Sequence, residues 1–196
     1  AAQARRDDDP TRAERLYRAL VVAERPEAVR AAALTGLAEL PGVDVLPLVT
    51  SALAEGPALL RAAAAGVVAT RPGPEITRAV RGLLPTLPPD VQVVVLTALT
   101  RRGEAEAAPA AVGLLTSAHD AVRLAAARLL ERVGGAAEVP PVVAAATGSG
   151  PAAAAALQAL SRWADPATDK ALLDLLQRDV PAAQQATALA ALSLRG

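Results

Sequence analysis

The sequence predicts an all-α fold: an α-α superhelix, or solenoid, of about five 31-residue helical-hairpin repeats with half repeats at both ends. Three observations predict it. The same kind of segment returns at Pro26, Pro57, Pro88, His119, Gly150 and Pro181, a step of 31 residues held five times, and a fixed period of that order marks a stacked repeat array. Within each period, apolar residues recur at positions 3, 7, 10, 11 and 14 after the starting residue, which is one face of an α-helix. Glycine and proline fall between these runs at regular intervals, as punctuation.

The elements follow in order. Residues 1–9 form a polar tail that ends in Asp7-Asp8-Asp9 beside Arg5-Arg6, a solvated or capping segment. The repeat array covers residues 10–196. Each starting residue opens a helix A, where proline suits a first turn that needs no N–H donor. Position 3 carries Val29, Leu60, Val91 and Val122; position 7 carries Ala33, Ala64, Val95, Ala126, Leu157 and Ala188; position 11 carries Leu37, Val68, Leu99, Leu130, Ser161 and Leu192. Breaks follow at Pro41-Gly42, Pro72-Gly73, Gly103, Gly134-Gly135 and Asp165-Pro166, where glycine supplies a left-handed cap and proline prevents continuation. A second apolar run, helix B, comes next: Leu46, Val49 and Leu53; Ile76, Val80, Leu83 and Leu84; Ala111, Leu114 and Leu115; Val139, Val142 and Ala146; Leu172, Leu173 and Leu176. Pro47, Pro109 and Pro140 share one register near its start, and Pro10 aligns with Pro41 and Pro72. Residues 10–24 therefore read as a helix B without its helix A. The array runs B, then A-B five times, then a last A from about Pro181, with Leu189, Leu192 and Leu194 on it. A lone helix of this kind cannot bury its apolar face, so the ends of the array are expected to pack on neighbouring repeats or subunits.

Composition sets the limits of function. Hydrophobic residues make up 53% and aromatics 1%, with no Phe, Met or Cys, so the core is built from Ala, Leu and Val and helix axes can approach closely. Basic and acidic residues balance at 20 each, which gives no general attraction to nucleic acid or a membrane surface. Lys170 is the one lysine. Without cysteine there is no disulfide or thiolate metal site, and no apolar run is long enough to span a bilayer. The chain begins Ala1-Ala2-Gln3. That start fits a processed, extracytoplasmic end or a piece of a longer chain equally well.

The pattern P-x-x-V-R-x-A-A, a Gly/Pro break, then V/A-x-P-x-V-x-x-L resembles the short bacterial HEAT repeats of the phycobilisome-lyase type. Its best instances are PEAVRAAALTGLAEL and HDAVRLAAARLLERVG, and the resemblance spans roughly residues 10–195. It weakens at the fifth repeat, GPAAAAALQALSRWA, which lacks the Val and Arg. The repeat is shorter than the usual HEAT period of ~40–47 residues. The resemblance implies an α-solenoid with the B helices on its inner face. It also implies that Arg30, Arg61 and Arg123 brace inter-repeat loops through acidic neighbours, for which Asp44, Glu75, Glu106 and Glu138 have about the right register.

Candidate chemistry is sparse. His119 is the only histidine and stands at a helix start, where it reads as a turn residue, since a zinc site needs three or four ligands. The paired His-Glu motifs of HEAT-type hydroxylases are missing. Ser117 lies near His119, but G-x-S-x-G is absent; Thr147-Gly148-Ser149-Gly150 is a turn and not a phosphate loop. No cofactor or metal is expected, and no catalytic residue. Residues 61–102 hold six arginines (Arg61, Arg71, Arg78, Arg81, Arg101, Arg102) against Glu75 and Asp90, six minus two, a local net of +4. Arg78 and Arg81, three apart on one helix B, are candidate partner-binding residues. Trp163 is the third: its counterparts by a 31-residue step are Glu39, Thr70, Arg101 and Arg132, a polar register where an indole either packs into a neighbouring loop or marks a contact site. Tyr17 aligns with Leu48, Ala79 and Leu172 and reads as core. The expected function is a non-enzymatic protein-interaction scaffold, part of a larger bacterial protein or assembly, with another protein or domain as partner and no specific nucleic acid. The alternative is an enzyme-associated solenoid, a prosthetic-group lyase or chaperone, or a DNA-repair-like protein.

Overall fold

A computed structural model describes residues 9–195, and all regular structure among them is helical. The α-helices are α1 (Pro10–Leu20), α2 (Glu27–Ala38), α3 (Leu46–Glu55), α4 (Ala58–Thr70), α5 (Pro74–Leu83), α6 (Pro89–Arg102), α7 (Ala108–Leu114), α8 (Asp120–Val133), α9 (Val139–Ala146), α10 (Gly150–Arg162), α11 (Pro166–Leu176) and α12 (Ala182–Arg195). The order is B, five A-B hairpins, then A, as the sequence predicts. The tail expected over residues 1–9 lies outside the described residues except for Asp9, whose Oδ1 accepts the Arg12 N–H at 2.8 Å and caps α1. Prolines occupy the first or second position of α1, α3, α5, α7, α9, α10 and α11, where the absent N–H is no loss.

The chain forms two compact units, residues 1–98 and 99–196, so α6 is divided between them. In the first, α2 packs on α4 and α3 on α5, while α1 lies on α2. In the second, α8 packs on α10 and α10 on α12, with α9 against α10, α11 and α12. Each unit thus stacks helices that are two apart in sequence, A on A and B on B, the arrangement of a helical-hairpin solenoid. Leu34, Leu37, Leu53 and Val68 of the first unit, and Leu99, Leu129, Leu130, Leu160 and Leu172 of the second, are at most 1% exposed. Position 8 shows where that burial comes from. Leu34, Ala65, Leu96 and Ala127 are buried, whereas the equivalent Leu189 of α12 is 56% exposed.

The 31-residue step slips once. The A helices begin at residues 27, 58, 89, 120, 150 and 182, so the fourth step is 30 and the fifth is 32. Burial confirms the shift, which boundary assignment alone would not. In α10 the fully buried residues are Ala156, Ala159 and Leu160, one ahead of the Leu157 and Ser161 expected from a constant step. Counted from Ser149, the residue before the helix, they fall at positions 7, 10 and 11 like those of the other repeats. Helix α11 carries the same shift: Leu172 and Leu175 are buried, while Leu173, expected in the core, is 51% exposed. With alanine at five successive positions, 152–156, a one-residue rotation of α10 replaces methyl by methyl, so nothing in that stretch pins the register.

The core reaches close approach where the sequence supplies glycine. Tyr17 of α1 is 8% exposed, and a Cβ at Gly36 of α2 would lie 2.3 Å from its Cζ. Gly36→Ala is therefore expected to destabilise the protein by ~1–3 kcal/mol through overpacking. A urea midpoint equal to wild type would show that the ring moves aside freely.

Candidate interaction surface

Much of what looked like functional chemistry in the sequence is engaged in closing helix ends. The last four carbonyls of an α-helix lack intrahelical partners, and two recurring side-chain positions supply donors to them. Position 4 of helix A reaches the end of the helix B before it. Arg61 Nη2 approaches Ala54 O of α3 at 3.5 Å, Gln92 Nε2 donates to Leu84 O at 3.1 Å, and Arg123 Nη1 donates to Ser117 O at 2.7 Å. The repeat arginines do brace the inter-repeat turns, but mainly through backbone carbonyls. The acidic ladder implied by the family resemblance does not form around them. Asp44 Oδ1 accepts the Leu46 N–H at 3.0 Å and Glu138 Oε2 accepts the Gly135 N–H at 2.9 Å, so both cap the helix that follows them. The ion pairs of Arg61 and Arg123 go instead to Asp90, at 4.0 Å, and Asp120. Arg30 Nε is buried with no partner among the described residues.

The second position was missed in the sequence. Position 14, counted from the residue before each A helix, holds Leu40, Arg71, Arg102, Val133, Trp163 and Arg195. Arg71 Nη1 donates to Ala38 O at 2.6 Å and its Nη2 to Val43 O at 2.5 Å. Arg195 Nη1 donates to Leu160 O at 2.7 Å and to Trp163 O, and its Nε to Asp169 Oδ1 at 2.5 Å. Trp163 Nε1 donates to Leu130 O at 2.9 Å. Each reaches back about one repeat to the end of the preceding A helix. Helix starts are tied as well: Glu27 Oε1 of α2 accepts the Leu59 N–H of α4 at 2.5 Å, a carboxylate at the positive end of the helix dipole.

Trp163 is therefore corrected in both register and exposure. It aligns with Arg71 and Arg195, not with Glu39, Thr70, Arg101 and Arg132, and it is 5% exposed. Its indole lies against Gly134, where a Cβ would come within 2.3 Å of Cζ2. Gly134 has φ −78°, so glycine is needed there for room, whereas Gly103 at the end of α6 has φ +70° and makes the left-handed cap that the sequence predicts for all the breaks. A buried indole with its N–H satisfied offers no face to a partner.

Of the six arginines behind the local excess of positive charge, Arg61 and Arg71 make the bonds given above, and Arg102, with its side chain 5% exposed, pairs with Glu104 at 2.7 Å. Arg78 and Arg81 are exposed on α5, and each takes part in an interaction within the chain. His119 is the exposed residue before α8, its N–H 3.3 Å from Ser117 Oγ. Among the described residues no group of three or more His, Cys, Asp or Glu side chains is placed to hold a metal ion. Among the same residues no helix is long and apolar enough to cross a membrane.

What remains is the outer face of the A helices, where successive helices leave a groove at positions 9, 12 and 13. In the first unit the groove between α2 and α4 has a volume of about 640 Å³ and is lined by Thr35, Ala38, Glu39, Gly66 and Thr70, with Arg71 at its edge. In the second unit a groove of about 490 Å³ is lined by Thr100 of α6, Arg128, Glu131 and Arg132 of α8, and Arg162 of α10. One geometry carries two different chemistries.

Within each unit the stacked helix pairs, with donors at positions 4 and 14 closing helix ends, define the class: a helical-hairpin repeat protein. A family model described as HEAT repeats matches residues 76–161, which runs from α5 through nearly all of α10. No curated protein matches the chain.

Proposed function

We propose that this chain is a non-catalytic interaction scaffold, residues 10–196 forming one array of short bacterial HEAT repeats of the phycobilisome-lyase type within a larger bacterial protein or assembly. It works by presenting the outward residues of its repeats to another protein or domain. The observation that carries this reading is the division of labour within the repeat. Arg61, Gln92 and Arg123 at position 4 and Arg71, Trp163 and Arg195 at position 14 are engaged with helix ends, whereas position 13 runs Glu39, Thr70, Arg101, Arg132, Arg162 and Leu194, all exposed. Where positions 4 and 14 carry a donor it closes a helix end, while the outward position changes character from repeat to repeat and stays exposed. Repeat stacks use extended surfaces built from successive repeats for binding.

The test is capture on the immobilised full chain, followed by identification of the retained protein and titration with the purified partner. A saturable protein complex is expected. The reading is overturned if no protein is retained, or if the chain instead turns over a small molecule or binds duplex DNA with salt-sensitive affinity, the behaviour of an enzyme-associated or repair solenoid.

A further inference from the structure

We propose that the groove lined by the ends of α6, α8 and α10 binds an acidic segment of a protein partner, taking its side-chain carboxylates on Arg128, Arg132 and Arg162. This rests on the scaffold reading and names its partner class and surface. Arg128, Arg132 and Arg162 line one groove, all three are exposed, and Glu131 is the single carboxylate among them, three minus one for a net of +2. Glu131 pairs with Arg162. Arg128 and Arg132 find no carboxylate among the described residues, although they stand four apart on α8, a spacing at which like charges destabilise a helix.

The fold does not require this cluster. The equivalent groove of the first unit, at the same positions of the repeat, carries Thr35, Glu39, Gly66 and Thr70 and is built equally well. Nor does the helix dipole explain it. That effect favours a cation in the last turn of each helix and accounts for Arg132 and Arg162, but Arg128 stands a full turn earlier. The one-residue slip of the fifth repeat also matters, because it brings Arg162 into the register of Arg101 and Arg132, so three successive A helices carry an exposed arginine at position 13, in or next to the last turn.

Guanidinium forks suit carboxylates, which accept two parallel N–H bonds, and a carboxylate already pairs with one groove arginine, Glu131 Oε1 accepting from Arg162 Nη1. Nucleic acid fits less well. Single strands need aromatic platforms for base stacking, and Trp163 and Tyr17, the chain's only aromatics, are both buried. Duplex binding needs a broad cationic field, and the chain is neutral overall.

The test titrates a fluorescently labelled oligoglutamate peptide into the full chain at low ionic strength. Saturable binding that weakens with salt is expected. The double variant Arg128→Glu/Arg132→Glu should weaken it by about tenfold or more, the factor that corresponds to losing one good charged contact. The variant Arg78→Glu/Arg81→Glu on α5 should bind like wild type. Circular dichroism checks that each variant is folded, and Arg128→Gln/Arg132→Gln gives the same comparison without charge reversal. The proposal is overturned if wild type does not bind the peptide, if the α5 pair and not the α8 pair abolishes binding, or if a DNA oligonucleotide of equal charge binds more tightly. A natural partner that still binds the Arg128→Glu/Arg132→Glu protein at full strength would remove the groove proposal and leave the scaffold reading standing. Failure to retain any protein would remove the scaffold reading, while the peptide titration still reports on the groove.

Discussion

Trp163→Ala is expected to destabilise the protein by ~3–5 kcal/mol, the range for truncating a buried aromatic to alanine. The indole is 5% exposed, lies on Gly134 and donates to Leu130 O at 2.9 Å. Its removal opens the contact between the ends of α8 and α10. Trp163→Phe separates the two contributions. It keeps most of the apolar contact and loses only the hydrogen bond, whose net worth is about 1 kcal/mol. Leu130 O is not orphaned in that variant, because it also accepts the Gly134 N–H at 2.7 Å.

A double-mutant cycle tests the packing directly. Gly134→Ala in the wild-type background places a methyl 2.3 Å from Trp163 Cζ2 and should cost ~1–3 kcal/mol as overpacking. In the Trp163→Ala background most of that cost should disappear. What persists reflects Leu130 O, 2.8 Å from the same Cβ position. Denaturant midpoints for the four proteins give the coupling energy. Additive costs would show that the indole does not sit on Gly134 in solution.

This pair of residues also shows how far the sequence could be read. Period and punctuation were enough for the helix order, the hairpin repeat and most of the core positions, because Val, Leu and Ala recur at helical spacing wherever the step is constant; Val29, expected at position 3 of the apolar face, is exposed at the end of the array. The reading failed where the step changed. Across Ala152–Ala156 any register buries the same side chain, so that stretch carries no signal for the slip; the signal was Ser161, a polar residue at a position that is otherwise Leu or Val, and without it Trp163 is compared with the wrong residues. Position 14 was opaque for a different reason. Leu40, Arg71, Val133 and Trp163 share no chemical class, and what Arg71, Trp163 and Arg195 have in common is reach toward the preceding A-helix end, a property of three-dimensional stacking. The groove arginines were hidden by the same slip, since Arg162 joins Arg101 and Arg132 only once the fifth repeat is counted from Ser149. Arg78 and Arg81 stand out in the sequence by local charge and by their spacing on one helix B, and neither signal distinguishes an exposed guanidinium with a role inside the chain from one without.

Arg71→Met is expected to cost ~2–4 kcal/mol. The guanidinium donates to Ala38 O at 2.6 Å and to Val43 O at 2.5 Å, so one side chain from the end of α4 holds both the last residue of α2 and the turn that leads into α3. Hydrogen bonds from a charged donor contribute about 1.5–3 kcal/mol each. Arg71 is only half-buried, so water can partly replace it, which keeps the expected sum toward the lower end. Methionine preserves length and apolar contact, so the loss reports the donors and not a cavity. Arg71→Lys should recover less than half of the difference, because an ammonium is a point charge that cannot span two carbonyls with a planar fork. In a repeat stack the damage should stay close to its origin, since stability is a sum of repeat and nearest-neighbour terms. Amide exchange is thus expected to accelerate at the α2–α3 turn and the start of α3, with the amides of α8 and α10 unchanged. A methionine variant as stable as wild type, or one whose faster exchange spreads evenly over both units, would show that position 14 does not tie neighbouring repeats together.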